Sequence, residues 1–449
     1  MGQKIDRTYL FERMPVGQAV RRQIIPSIAS QMVILLYNLA DTYFVGLLND
    51  AAQTAAVSLA YSVTLLMTAL ANLFAVGGAG RIAQLLGRRD RDGAREVCAV
   101  SFWFALLASA AFCVLFTLLS SPILRLCGAT DETYALACGY SRWVISVGGT
   151  FSILNTVLAN LIRADGSAFA ASMGVSAGGI INMLLDPLFV LPRFLGMGAE
   201  GAGLATAISN AAGMLILLGI IAARRRVGVV ALRPGDLRAA RRHIGRILRI
   251  GLPSAVQFLL TLVAVGALTK FMSLYDTAAV AALGIVKKLD MLPLYFSIGV
   301  ANGLLPLLAY NYSAENHERR HRIFLCGCAV AVGFSVVCVA GYEVFAPALV
   351  RIFIGDAQTI AYGTKLLRIM VLAMPMMSVC YPMITQFQAM GRMRESLICS
   401  ILRKGSLDIP LLFVLNALFP LYGCAAVQPI VDCICMIVAI YFYKKLPTA

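Results

Sequence analysis

Asn38 and Asp41 stand three residues apart, and Asn182 and Asp186 four apart, each pair inside an otherwise apolar run. Helical periodicity places the members of each pair on one face. Carboxylate and amide oxygens so arranged can hold a proton or a hard cation such as Na⁺. An ionised Asp at mid-membrane costs about 2.5–3.5 kcal/mol. Asp41 therefore needs a hydrogen-bond partner, a bound cation or a proton. It could also be a structural or interfacial carboxylate at the outer end of its helix. Asp186 precedes Pro187 and could simply end or bend its helix.

Other polar residues join these pairs. Gln31 shares the broad face of Asn38 and Asp41, and Tyr37 lies one turn before Asp41. Asn155, Asn160, Ser209 and Asn210 could complete a polar cluster, or serve as helix-to-helix hydrogen bonds. The second half carries Gln257 after Pro253, then Lys287, Lys288 and Asp290, then Lys365 and Arg368, and finally Asp408 and Asp432. Either lysine could pair with Asp290 or face a cavity and set its charge preference. Met374, Met376, Met377, Met383 and Met390 suit a cavity for varied apolar ligands, and suit ordinary packing as well. Gln31, Tyr37, Asn155, Asn210, Gln257, Lys288 and Met374 are the candidate cavity residues.

The elements that must hold these residues are membrane helices. Of 449 residues, 60 % are hydrophobic and 13 % charged, against about 25 % charged in a soluble domain. That excludes a soluble protein of this size. The formal charge of +16 does not indicate nucleic acid, because the basic residues fall in short groups between apolar blocks. The first 23 residues lack the pattern of a cleavable signal, so the first span is expected to target the membrane. The cysteines are scattered without metal-ligand spacing and read as small buried hydrophobes.

A span needs about 20 apolar residues. Twelve blocks fit, near 20–46, 55–78, 96–119, 134–158, 166–190, 202–223, 247–272, 279–308, 323–346, 363–389, 396–418 and 424–443. Lys4, Arg7, Arg13, Arg21 and Arg22 precede the first. Further basic groups follow every even-numbered span, among them Arg81, Arg88 and Arg89, then Arg163, Arg224–Arg226, Arg319 and Arg320, Arg392, and Lys444 and Lys445. This asymmetry puts both termini of a multi-pass membrane protein in the cytoplasm.

The chain also repeats. The segment from Ala55 aligns without gaps with that from Ala281, and LLDPLFV from Leu184 resembles SLDIPLLFV from Ser406, pairing Asp186 with Asp408. Two six-helix bundles are expected, 1–230 and 231–449, both all-α, around a central cavity suited to alternating access. Pro26, Pro253, Pro293, Pro306, Pro375, Pro382 and Pro410 are candidate kinks. No phosphate-cradling loop, HExxH or GxSxG occurs, so neither ATP coupling nor an enzyme is indicated.

Pro26, LYNLADTYFVG (36–46), AQLLGRRDRDGA (83–94), NMLLDPLFV (182–190), GAEGAGLATAISN (198–210) and PLLAYNYSAEN (306–316) together resemble the multidrug and toxic compound extrusion (MATE) family, in its bacterial DinF/MepA-like branch. The resemblance implies an antiporter without cofactor, in which inward H⁺ or Na⁺ movement drives export of amphipathic, often cationic compounds. It implies that Asn38, Asp41, Asn182 and Asp186 are the cation-coupling site, with Na⁺ or a proton at Asp41 and Asp186. It also makes Pro26 the hinge at which the first span bends. Two positions depart from the pattern: Gln257 stands where some branches are acidic, and Leu305-Pro306 replaces a Gln-Pro pair. The partners implied are small amphipathic substrates and the bilayer, with no nucleic acid and a monomeric protein. An exporter or flippase of a lipid-linked or anionic precursor is the alternative, and a non-transporting scaffold or channel ranks below both.

Overall fold

The computed structural model describes residues 8–48, 50–126, 129–225 and 228–446. Lys4, Arg7, Arg226 and both chain ends, which figured in the sidedness argument, lie outside the described residues. All regular structure among the described residues is helical. The first half contains α1 (Val16–Gly46), α2 (Ala51–Gly87), α3 (Arg91–Leu126), α4 (Asp131–Ser141), α5 (Gly149–Ala164), α6 (Ala168–Val190) and α7 (Gly198–Ala223). The second contains α8 (Ala240–Met272), α9 (Thr277–Ser313), α10 (His317–Arg351), α11 (Ala357–Val371), α12 (Met374–Ala389), α13 (Met393–Ile401), α14 (Asp408–Leu418) and α15 (Tyr422–Lys444).

Nine of these helices are each long and apolar enough to cross a membrane, and the bent pairs α4–α5 and α11–α12 bring the number to eleven among the described residues. The twelfth span is α13–α14, interrupted by a π-helical turn at Leu402–Ser406. All twelve apolar blocks are therefore occupied. The helices overrun the blocks, since backbone hydrogen bonding continues past the hydrocarbon edge. Side chains of Asp50, Thr130, Asp276, Asn316 and Asp356 cap the helices that follow them, taking up N–H groups the helix leaves free.

The two bent spans occupy matching places in the halves, with angles of 46° and 44°. Pro375 sits at the start of α12, after the second bend. The first bend has no proline. It falls at Gly148, after a π-helical stretch, Arg142–Val147, where a Cβ would press on the Trp143 carbonyl and on Ala207. Pro26, Pro253, Pro293, Pro306 and Pro382 lie inside helices that continue through them. The repeat keeps one register through the first spans of each half, where the helix ends 46, 51, 87, 91 and 131 recur as 272, 277, 313, 317 and 357, a spacing of 226; it then drifts, to 225 between the starts of α5 and α12 and 224 between those of α7 and α15.

α1 and α2 pack against α8 and α9, and they do so at the ends that carry the basic loops. There Gly77 and Gly251 lie so close to the partner backbone that a Cβ would collide with the carbonyls of Ile247 and Leu73. Gln84 donates to the Ala389 carbonyl at 2.9 Å, and His243 pairs with Glu96 at 2.8 Å. Arg319 donates to the carbonyls of Phe11 and Met14 at 2.8 and 2.6 Å, and the Tyr310 hydroxyl donates to Glu12 at 2.7 Å. Among the described residues no hydrogen bond joins the halves at the opposite end. Arg81, Arg163 and Arg320, expected as loop charges, are instead buried, at 4, 3 and 5 % exposure.

Candidate functional site

Asp41 lies five residues before the end of α1, and it is buried because α1 packs on α6. Its Oδ2 accepts a hydrogen bond from Tyr140 of α4 at 3.3 Å, while Oδ1 is buried without a partner. Asp186 of α6 is wholly buried; its Oδ1 accepts from Asn182 Nδ2 at 3.3 Å, and its Oδ2 has no partner. Asn182 Nδ2 also reaches the Thr206 hydroxyl of α7 at 3.4 Å, and leaves its own Oδ1 unpartnered. Tyr37 lies within electrostatic reach of both carboxylates, and the two carboxylates within reach of each other.

Asn155 of α5 donates to Asn210 of α7 at 3.4 Å, and its Oδ1 is a further orphan. Four buried oxygens, from Asp41, Asp186, Asn182 and Asn155, thus lack donors among the described residues. Among the described residues no Lys, Arg or His forms an ion pair with either carboxylate. Leaving such groups unsatisfied is costly. A donor set of this kind fits a proton or a Na⁺ ion, each of which supplies the positive charge that the bundle omits.

Not every expected residue joins this cluster. Asn38 spends its amide on the Ile34 carbonyl of its own helix at 2.8 Å. Gln31 is half-buried on α1, and Gln257 is buried on α8. Met374 opens α12 at 1 % exposure, inside the apolar cluster of the second half. That places it in the core rather than on an open wall, because the bend at the start of α12 turns it inward. Met377, Met383 and Met390 are buried likewise. Lys288 is half-buried, and its neighbour Lys287 is the one that lines a small pocket with Lys404 and Asp408.

Tyr140 and Thr206 escaped the sequence reading. Their residue types are ordinary in helices, and the π-helical stretch after Tyr140 shifts the face it shares with Asn155. A tyrosine group was also missed: Tyr37, Tyr61 and Tyr381 lie within electrostatic reach of Tyr295. These four come from α1, α2, α12 and α9, so the group spans the two halves. In the second half Arg403 pairs with Asp432 at 2.8 Å, both at most 1 % exposed, and lies 4.3 Å from the Tyr381 ring centroid.

Comparison with known proteins gives the class. The MatE family model matches twice, at residues 26–188 and 253–414. The chain belongs to the multidrug and toxic compound extrusion family; it is a multi-pass membrane transporter and not an enzyme. The multidrug export protein MepA of Staphylococcus aureus (strain NCTC 8325 / PS 47) is 29 % identical over 437 residues, covering 97 % of this chain and 95 % of that protein. MepA of Staphylococcus saprophyticus is 27 % identical, with the same coverage. Among solved structures, one described as an outward-facing MATE multidrug resistance transporter superposes with a TM-score of 0.90 at 25 % identity, covering 98 % of each chain. A transporter from Pyrococcus furiosus, described as having a binding pocket of reversed polarity, also gives 0.90 at 25 % identity, covering 99 % of this chain and 98 % of its own.

Proposed function

We propose that this transporter exports amphipathic, mainly cationic compounds across the bacterial cytoplasmic membrane, driven by inward movement of H⁺ or Na⁺. The observation that carries the reading is the set of four unpartnered buried oxygens around Asp41 and Asp186. A carboxylate pair with no countercharge is occupied by a cation or a proton, and its energy then depends on which is bound. The basic loops face the cytoplasm, with both termini on that side, and the halves meet there. On this reading the substrate path opens on the opposite side, where no hydrogen bond among the described residues joins the halves. Tyr37, Tyr61, Tyr295 and Tyr381 give a cationic substrate aromatic faces to rest on.

Coupling works through α1. Pro26 cannot donate to the Arg22 carbonyl, so the helix is weakest below Asp41. Ion or proton binding at Asp41 changes how α1 sits on α6 and bends it at Pro26, which expels substrate. The protein acts as a monomer in the bilayer, with no nucleic acid partner and no cofactor beyond the coupling ion.

The test is dye efflux from proteoliposomes with Na⁺ and pH gradients imposed separately. One of the two gradients is expected to drive efflux, and Asp41→Asn to abolish it. Full efflux by Asp41→Asn would end the coupling role of Asp41.

A further inference from the structure

On the basic side, α2 of the first half and α8 of the second pack together, and their contact gathers arginines. Leu73 lies against Gly251 and Gly77 against Ile247, so the two helices run antiparallel. One turn further on, the same register sets Arg81 opposite His243, which is flanked by Arg242 and, a turn along α8, by Arg246. Arg88 stands about two turns beyond Arg81 at the end of α2. Arg88, Arg242 and Arg246 are exposed, whereas Arg81 is buried at 4 % exposure. All three exposed arginines lie within electrostatic reach of Arg81.

Little in the protein answers these charges. Arg81 donates to Gln84 Oε1 at 3.2 Å, and its Nε is buried without an acceptor among the described residues. None of the four arginines forms an ion pair among the described residues. Asp90 lies within electrostatic reach of Arg81, but its Oδ1 accepts from the Gly93 N–H at 2.8 Å. Glu96 is taken by His243 at 2.8 Å. Four guanidinium groups thus stand against one carboxylate that touches none of them. Burying a cation beside like charges is unfavourable unless an anion joins them. The donors arrive from two helices, and the oxygens of a phosphate point in enough directions to serve both. Guanidinium groups bind phosphate in bidentate pairs.

We propose that Arg81, Arg88, Arg242 and Arg246 form a binding site for a phosphate group that bridges α2 and α8. The phosphate is either free in solution or carried by an anionic lipid, and its recognition by the arginines is the same in both cases. Because the site takes residues from both halves, it is whole only while this side is closed. An occupied site therefore favours the closed state. The inference depends on neither the coupling ion nor the exported compound.

The experiment is fluorescence-detected melting of the purified full chain, in two arms. In detergent, millimolar sodium phosphate replaces sodium chloride at equal ionic strength. In nanodiscs, phosphatidylcholine alone is compared with phosphatidylcholine containing phosphatidylglycerol. At least one arm is expected to raise the melting midpoint by about 2 °C or more. A rise in the first arm identifies free phosphate as a ligand, and a rise confined to the second identifies the lipid headgroup. Arg88→Gln with Arg246→Gln removes two exposed cations of the site and is expected to abolish most of the rise. Arg13→Gln with Lys444→Gln removes as much exposed charge outside the site and is expected to keep it. No rise in either arm would overturn the site, as would an equal rise in the two double variants.

Discussion

Tyr140 donates its phenolic hydrogen to Oδ2 of Asp41 across 3.3 Å, joining two spans through residues 99 positions apart. The other Asp41 oxygen has no donor among the described residues, so there this is the only hydrogen bond that fixes the carboxylate. A hydrogen bond to a charged group contributes about 1.5–3 kcal/mol. At this length the lower end applies, which is about tenfold in an equilibrium constant. Tyr140→Phe is therefore expected to lower gradient-driven efflux about tenfold in proteoliposomes, with the thermal midpoint nearly unchanged. Unaltered efflux would show that Asp41 is positioned by something else.

The legible parts of this site were those that violate the local pattern. A carboxylate in an apolar run is expensive, so Asp41 and Asp186 stood out from the sequence, and the twelve spans followed from length and composition. Tyr140 and Thr206 violate nothing, and only the packing of α4 and α7 gives them meaning. Gly148 bends a span without the proline that usually marks such a bend. Lys287 and Lys288 are adjacent, about 100° apart around a helix, and sequence alone does not say which one faces a cavity.

The link between Gln84 and Ala389 tests the opening of the basic side. Gln84 Nε2 reaches the Ala389 carbonyl at 2.9 Å across the two halves, so these positions are adjacent only while that side is closed. In a cysteine-free background, Gln84→Cys with Ala389→Cys is expected to react with a short cleavable bifunctional thiosulfonate and lose more than 90 % of efflux activity (about tenfold or more, by the barrier to opening). Reduction of the linker should restore it. Efflux by a fully cross-linked protein would rule out opening at this place.

Arg319 ties the N-terminal turn of the first half to α10 of the second, donating to the carbonyls of Phe11 and Met14 at 2.8 and 2.6 Å. Phe11 is fully buried beneath it and stacks on Tyr310, with ring centroids 4.7 Å apart. The planar fork of arginine serves several acceptors at once, which a lysine cannot reproduce. Arg319→Lys is expected to free the segment around residues 8–14 for limited proteolysis at least severalfold faster, and Arg319→Ala faster still. Cleavage rates equal to the parent's would show that burial of Phe11 alone holds the segment.

The Arg403–Asp432 pair makes the sharpest stability prediction. Both side chains are at most 1 % exposed and 2.8 Å apart, and Asp432 also accepts from Gln428 at 2.9 Å. Removing one partner of a buried pair leaves an uncompensated charge, at a cost of about 3–5 kcal/mol. Replacing both by apolar residues of similar volume removes the charges together and is often nearly neutral. Asp432→Leu alone is therefore expected to lower the thermal midpoint strongly, as is Arg403→Met alone. The double substitution should recover most of the loss in a fluorescence-detected melting series. If the double variant falls by the sum of the two single losses, the residues act independently, and the pair is not the unit that holds α15 to the π-helical turn at Leu402–Ser406.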